Sequence, residues 1–480
     1  MPSFQTQGNA LLVIIILGCG GSFHTGYHLT GLSSPSPDFI NSSWYDRYKE
    51  PPGPQKVTMI WSLIVSMYAV GGLFGAVSVK LVSRKLGRKR AMICNSLISI
   101  MGAVTMLTSK TAKSFEMIIV ARMLYGYSAG VVSVAVLHLM YLGEISPRKI
   151  RGRVTVTSAT FTSLGKLSGQ FFGLSEILGH RDLWNIVLCV PVCFSAVQVL
   201  VLPFLPEAPR YLFIEKRDDK ACKRALQSLW GKGDYKQEME EMLIEHLALQ
   251  ASPPKSPLRL MRDRTVRWQL ITMLVVYCCN QMSGITFSFD IFLNSGVPKD
   301  KIRYVTLGLG ISEILTSISC SLLIEHTGRR PLFWGGYVVM SAIWIVATVM
   351  LNLKVNMTRT SLFALPGAAT ATLSAELFIQ SDCLAAFVLM GLQRWFMFAV
   401  VGLIFPFLIV RTDAFGSYCF TLFAVVSLLG SFYTFFLLPE TKGKSLVDIS
   451  EEFKAITVYF LYDKCTSKTI ISPPVCTELH

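Results

Sequence analysis

Apolar residues in this chain are grouped into long runs, and the polar stretches between them are mostly short. The runs lie near 10–30, 58–79, 91–109, 115–141, 154–175, 183–204, 268–293, 304–324, 332–352, 361–380, 384–410 and 415–438. About 20 apolar residues are enough for a helix to cross the hydrocarbon core. Lipid offers backbone groups no partner, so only helices or closed barrels can span it. Runs of this length predict twelve membrane-spanning helices. The run at 361–380 is rich in Ala and Thr and contains Pro366 and Gly367.

One polar stretch, 205–267, is long. Residues 218–231, "DDKACKRALQSLWG", begin with acids and end in glycine, which is the cap chemistry of a short helix. Residues 238–250 predict a second helix, and "ASPPKSP" at 251–257 breaks the pattern. The chain therefore divides into a six-helix half (1–204), a helical linker (205–267), a second six-helix half (268–440) and a tail (441–480).

Composition agrees with a membrane protein. Of the 480 residues 52% are hydrophobic and 16% charged, against about a quarter charged in soluble proteins. The formal net charge of +15 suggests a nucleic-acid partner only until its distribution is examined. Loops after even-numbered runs hold 25 Lys and Arg, and loops after odd-numbered runs hold 12. That bias predicts that the even loops and both termini are cytoplasmic, and it leaves no call for nucleic acid. The first run has no charged segment before it and reads as a span, not a signal peptide. The twelve cysteines are scattered without a CxxC pair, so no disulfide, metal or cofactor is expected. No nucleophile–base constellation or phosphate loop points to an enzyme.

Several motifs occur twice. "LGRKR" at 86–90 matches "TGRRP" at 327–331, their glycines 241 residues apart. "GE" ending at Glu144 matches "AE" ending at Glu376, and "PEAPR" at 206–210 matches "PETKG" at 439–443. Six spans, a linker and six more spans make a parallel repeat, the plan of the all-α major facilitator fold, with its substrate site at mid-membrane between the halves. Gly87 and Gly328 allow sharp turns between antiparallel helices. Arg88 with Glu144, Arg151 and Arg153, and Arg329 and Arg330 with Glu376, are the expected clamps at the cytoplasmic face.

These motifs, with "NQMSG" at 280–284, resemble the facilitated glucose transporters of solute carrier family 2 over about 11–453. "WSLIVSMY", "GGLFGA" and "SATFTSLG" resemble its class II branch, nearest the member 11 subgroup. The resemblance implies passive transport of glucose and/or fructose by alternating access. It also implies a multi-pass plasma-membrane protein that works as a monomer, with a hexose and the lipid bilayer as its partners. It places Asn280, Gln281 and Thr286 of the seventh span, Tyr27 of the first and Trp395 of the eleventh around the sugar. Amides suit such a ligand because they both donate and accept. Asn41, in Asn41-Ser42-Ser43, is the expected glycosylation acceptor.

The chain also departs from the resemblance. Ala159 stands where relatives place a sugar-binding Gln, and Cys383 replaces a clamp arginine. The stretches 286–292 and 352–376 are shortened. Gln170 shares a helical face with Ala159 and Lys166 and is added to the sugar contacts, as is Glu313 of the eighth span. Lys166, Arg394 and Glu313 bring charge to mid-membrane depth, where it is costly and usually paired. Lys166 and Glu313 are expected to interact directly, through Arg394 or through water. Two other readings stay open: an organic-anion or urate-like carrier using Lys166 and Arg394, and a transport-inactive membrane sensor or scaffold. The first span has no carboxylate, which argues against proton symport, although Glu313 keeps it open.

Overall fold

The computed structural model describes residues 10–31, 38–133, 138, 141–142, 145, 151–174, 176–179, 183–231, 233, 235–251, 256–263, 266–281, 299–352, 380–410, 419–440, 449 and 451–453. They are helical, with no strand among the described residues. In chain order the helices are α1 (Ala10–Thr30), α2 (Asp38–Tyr48), α3 (Pro54–Leu86), α4 (Arg88–Thr111), α5 (Phe115–Ser133), α6 (Arg151–Phe172) and α7 (Trp184–Phe204). After the first half come α8 (Asp219–Trp230), α9 (Lys236–Ala251) and α10 (Pro257–Arg262). The second half has α11 (Arg267–Gln281), α12 (Lys299–Thr327), α13 (Arg329–Asn352), α14 (Gln380–Val410) and α15 (Cys419–Leu437).

Five stretches among the described residues are long and apolar enough to cross a membrane: Ala10–Thr30, Gln55–Val79, Arg88–Thr111, Trp184–Phe204 and Ala385–Leu403. Arg330–Val346 and Thr421–Leu437 are shorter apolar helices. α5, α6, α11 and α12 coincide with the other expected spans. All but the last residue of the tenth run, and the end of the seventh beyond Gln281, lie outside the described residues.

Small residues set the helix packing. A side chain at Gly71 or Gly75 of α3, or at Gly126 or Gly130 of α5, would strike the backbone of the facing helix. The two helices therefore lie backbone against backbone, a packing that membrane proteins favour because lipid supplies no hydrophobic drive between helices. Gly26 of α1 and Gly165 of α6 do the same for that pair. Within α1 the glycine-rich Gly18–Phe23 winds as a π-turn.

The linker forms as its cap chemistry requires. Asp218 accepts the backbone N–H of Ala221 at 2.9 Å, and Gly231 leaves the helix at φ +88°. Cys222, Ala225, Leu226 and Leu229 form the buried face of α8. The Trp230 indole N–H donates to the Ile145 carbonyl at 2.9 Å, so α8 covers the bundle at the end of the fourth span.

The two basic turns share one construction. Gly87 has φ +86° and Gly328 has φ +93°, conformations that glycine adopts without a Cβ clash. After Gly87, the Glu207 carboxylate accepts the Lys89 N–H at 2.9 Å. After Gly328, Glu440 accepts the Arg330 N–H at 3.1 Å. Each "PE" motif thus caps the first turn of the helix that begins at the basic turn, where helix N–H groups lack internal partners. The Lys89 ammonium donates to the carbonyls of Pro203 and Leu205 at 2.6 and 2.7 Å.

The structure adds a partner to the expected clamp. One carboxylate on Arg88 belongs to Glu215, 2.5 Å away, with the guanidinium over the Tyr211 ring at 4.7 Å. The π-turn Tyr211–Glu215 that follows "PEAPR" folds beneath the Gly87 turn and brings both groups there. Arg330 donates to the Phe435 carbonyl at 2.5 Å. Glu144, Glu376 and the side chains of Arg151, Arg153 and Arg329 lie outside the described residues.

Gly87→Ala should destabilise the protein. The added methyl meets the Tyr211 ring, and the left-handed backbone alone costs about 1–2 kcal/mol for a residue with a Cβ. A lower melting temperature of the detergent-solubilised variant, against an unchanged Gly53→Ala control that meets nothing, checks the assignment.

Candidate functional site

The halves meet along two seams. In the first, α6 faces α12. Lys166 Nζ donates to Glu313 Oε1 at 2.6 Å, with the two side chains 23% and 20% exposed. Lys166 is 15 residues beyond Arg151, and Glu313 is 14 before Thr327. At 1.5 Å per residue they lie about 22 and 21 Å from those helix ends, well inside the expected spans. The expected cross-half interaction is therefore direct. One turn further along α6, the Gln170 side chain packs on Gly310 of α12, with its Oε1 buried and unpartnered. At the end of the seam Arg303 donates to the Gly179 carbonyl at 3.4 Å.

In the second seam α3 faces α14. The Trp395 ring lies on Gly72, where any side chain would collide with it. It meets the Tyr68 ring edge-on at 5.5 Å and 72°. Further along, Gly402 sits against Ser66. Trp395 is only 2% exposed, and its indole N–H has no partner. In this conformation it seals the seam and does not form the open wall expected from the sequence. Within the second half, the Gln281 amide donates to the Arg394 carbonyl at 3.2 Å, which ties the end of α11 to α14 beside Trp395. Asn280, just before it, is half-buried.

Tyr27 is also corrected. It is fully buried, and its hydroxyl donates to the Val187 carbonyl of α7 at 2.8 Å, so it faces the packed interior of the first half. Glu313, expected to contact sugar, has one carboxylate oxygen held by Lys166. Thr286 lies outside the described residues. Asn41 is exposed on α2. That helix is held to the bundle by Asp46–Lys113 at 2.8 Å and Arg47–Glu116 at 2.5 Å. The Lys113 ammonium holds the Asp46 carboxyl below its usual range.

A polar cluster inside the first half was missed from the sequence. His24 and His28 lie one turn apart on α1, their rings 4.6 Å apart, and His28 stacks on Tyr125 at 4.0 Å. Arg122 lies over the Tyr68 ring at 4.5 Å and donates to the carbonyls of His28 and Ile64 at 3.1 and 3.4 Å. Ser22 links His138 and Ser158, each at 2.7 Å. The available signal was the presence of imidazoles at positions 24, 28 and 138, inside apolar runs, where polar groups require partners.

A helical membrane bundle in two facing halves, with polar groups gathered at half depth, is a transporter of the major facilitator type. The structure of the proton:xylose symporter XylE with 6-bromo-6-deoxy-D-glucose shares this fold, with a TM-score of 0.75 and 16% identity over 92% of this chain and 99% of that one. The "Sugar (and other) transporter" family model matches residues 13–453. Human facilitated glucose transporter member 9 is 38% identical over 92% of this chain and 85% of that protein. Human member 11 is 37% identical over 93% of each, and horse member 5 is 37% identical over 92% and 91%. The chain belongs to solute carrier family 2, the facilitated glucose transporters, and is a multi-pass membrane protein, not an enzyme.

Removing one member of the Lys166–Glu313 pair leaves a buried charge unpaired, which costs more than removing both. Lys166→Met should therefore lower thermal stability more than the Lys166→Met/Glu313→Gln double variant. A coupling of about 1–3 kcal/mol is expected for groups in direct contact. Additive losses in the double-mutant cycle would show that the two residues act separately.

Proposed function

We propose that the chain is a facilitative uniporter of hexoses, glucose and/or fructose, working by alternating access. Family membership supports sugar as the cargo. One structural observation carries the reading further. The amides of Gln170 and Gln281 stand at the two seams near half depth, and Gln170 keeps a buried oxygen without a partner. A sugar hydroxyl can donate to that oxygen and accept from a neighbouring N–H. Asn280 and Thr286 extend the polar surface at the end of α11. Trp395 and Tyr27 support the site by closing the packing around it. Glu313 orients Lys166 and, through its second oxygen, is itself a sugar contact.

The layout supports alternating access. A closed path needs the seams to open and shut in turn around a fixed site. The turns at Gly87 and Gly328, with Arg88, Arg151, Arg153, Arg329 and Arg330 and the carboxylates of Glu144, Glu207, Glu215, Glu376 and Glu440, form the clamp at the cytoplasmic end. Both termini lie on that side of the plasma membrane, Asn41 carries glycan on the other, and the monomer is the working unit. The halves are 1–204 and 268–440, joined by 205–267 and followed by the tail 441–480. An anion carrier that uses Lys166 is disfavoured because Glu313 already neutralises that cation.

The test is radiolabelled glucose and fructose uptake in proteoliposomes, with and without a pH gradient. Uptake of at least one hexose to equilibrium, indifferent to the gradient, is expected. Proton-driven accumulation would overturn uniport, and no uptake of either sugar would favour the sensor or scaffold. At equal protein content, Gln281→Ala should reduce uptake about 5- to 100-fold, the loss of one or two good hydrogen bonds in a dry site. Unchanged kinetics would remove Gln281 from the site.

A further inference from the structure

Among the described residues three cations stand inside the bundle away from its ends, and two of them are accounted for. Lys166 is held by Glu313. Arg122 donates to two carbonyls and lies on the Tyr68 face. The third is Arg394. It lies 14 residues after the start of α14 and 16 before its end, so about 21 Å or more of helix separates it from either surface. That is too deep for its head group to reach water at the membrane boundary. Among the described residues no carboxylate lies within ion-pair distance of it, and its guanidinium makes no hydrogen bond. It is half-buried, and its titratable neighbours are Tyr277 of α11 and Tyr68 of α3, one from each half. The head group thus lies between the halves. It is next in sequence to Trp395, which touches α3, and its own carbonyl holds the Gln281 amide.

A guanidinium has five N–H donors and cannot lose its charge. A cation at this depth without a partner is costly and marks a ligand path. Carboxylates and phosphates both match its fork in bidentate geometry, but one guanidinium balances a single negative charge, which a carboxylate carries and a phosphate monoester exceeds. Hydroxyl-binding amides stand at the same depth. The ligand that uses both is a sugar carrying a carboxylate.

We propose that Arg394 anchors a carboxylate, and that the substrates of this transporter include sugar acids of the hexuronate class. The inference rests on the reading of the chain as a hexose transporter and names a second substrate class for the same site. It differs from the anion reading of the sequence because Lys166 takes no part. Glu313 closes that cation, and Arg394 alone recognises the charge.

The test compares glucuronate with glucuronamide, which has the same size and hydroxyls but no charge. Binding to the detergent-solubilised full chain is read by tryptophan fluorescence and thermal shift, so it does not depend on transport. The wild type should bind glucuronate about 10- to 100-fold more tightly than glucuronamide, the range for one charge-assisted pair. Arg394→Gln should bring that ratio close to one, and Arg394→Lys should keep part of it. The ratio is taken within each variant, so a general loss of affinity does not mimic the result. If Arg394→Gln does not fold, the wild-type ratio and Arg394→Lys still decide. A wild-type ratio near one overturns the proposal, as does a preference that survives in Arg394→Gln. Replacing chloride by isethionate separates the two sources of anion. A response to chloride without a glucuronate preference assigns the residue to an inorganic ion and also overturns the proposal. In proteoliposomes, glucuronate uptake should rise when the interior is made positive, whereas neutral hexose uptake should not respond. If hexose moves but glucuronate is not preferred, only this inference fails. If glucuronate is preferred in binding but no hexose moves, the hexose reading fails and Arg394 keeps its assignment.

Discussion

Hydrocarbon offers a polar group no partner, and every charged or hydrogen-bonding side chain in this bundle is placed under that constraint. Lys166 has a partner deep in the bundle because Glu313 comes from the opposite half to meet it. Arg122 stays charged because α1 and α3 turn carbonyls toward it and Tyr68 presents its face. The helices come close enough for these contacts because glycine removes the side chain where backbones meet. Polar function and tight packing are thus one arrangement: the glycines that let α1 approach α6 also bring the groups of α6 into reach.

The same constraint acts at the basic end in a milder form. A helix that starts at a tight turn exposes N–H groups, and a glutamate placed over a hundred residues away accepts one of them, once in each half. The repeat therefore preserves a working unit of turn, helix start and distant carboxylate, and in the first half the spacing between turn and carboxylate reflects the four helices, α4 to α7, that bring the chain back. In the first half Arg88 also reaches Glu215 of the linker. The linker is thereby fastened to the turn and to the end of the fourth span, where Trp230 bonds to Ile145.

Much of the architecture was legible in the sequence because it depends on quantities that sequence carries directly: run length, cap residues and repeated motifs. The spans among the described residues, the α8 cap at Asp218 and Gly231, and the Lys166–Glu313 pair all follow from such signals. The contact of Arg88 with Glu215 was not legible, because it depends on the path of the π-turn after "PEAPR". Tyr27 and Trp395 were assigned by likeness to an open wall. Helical phase alone does not say whether a ring faces a cavity or a neighbouring helix, and here Val187 and Gly72 occupy those faces. The histidines of α1 went unread because counting charges passes over neutral imidazoles.

The depth of the Lys166–Glu313 contact bears on how such a molecule can move. Two rigid halves that rock against each other turn about a fulcrum, and displacement grows with distance from it. A tilt of about 10° shifts a helix end about 20 Å away by about 3.5 Å, enough to part a closed rim. Atoms within about 3 Å of the fulcrum move about 0.5 Å, less than the slack of one lysine side chain. In the alternating-access motion proposed above, a charge pair at the midpoint would behave as an axle: it would remain joined while either rim opened, and it would fix the line about which the halves swing.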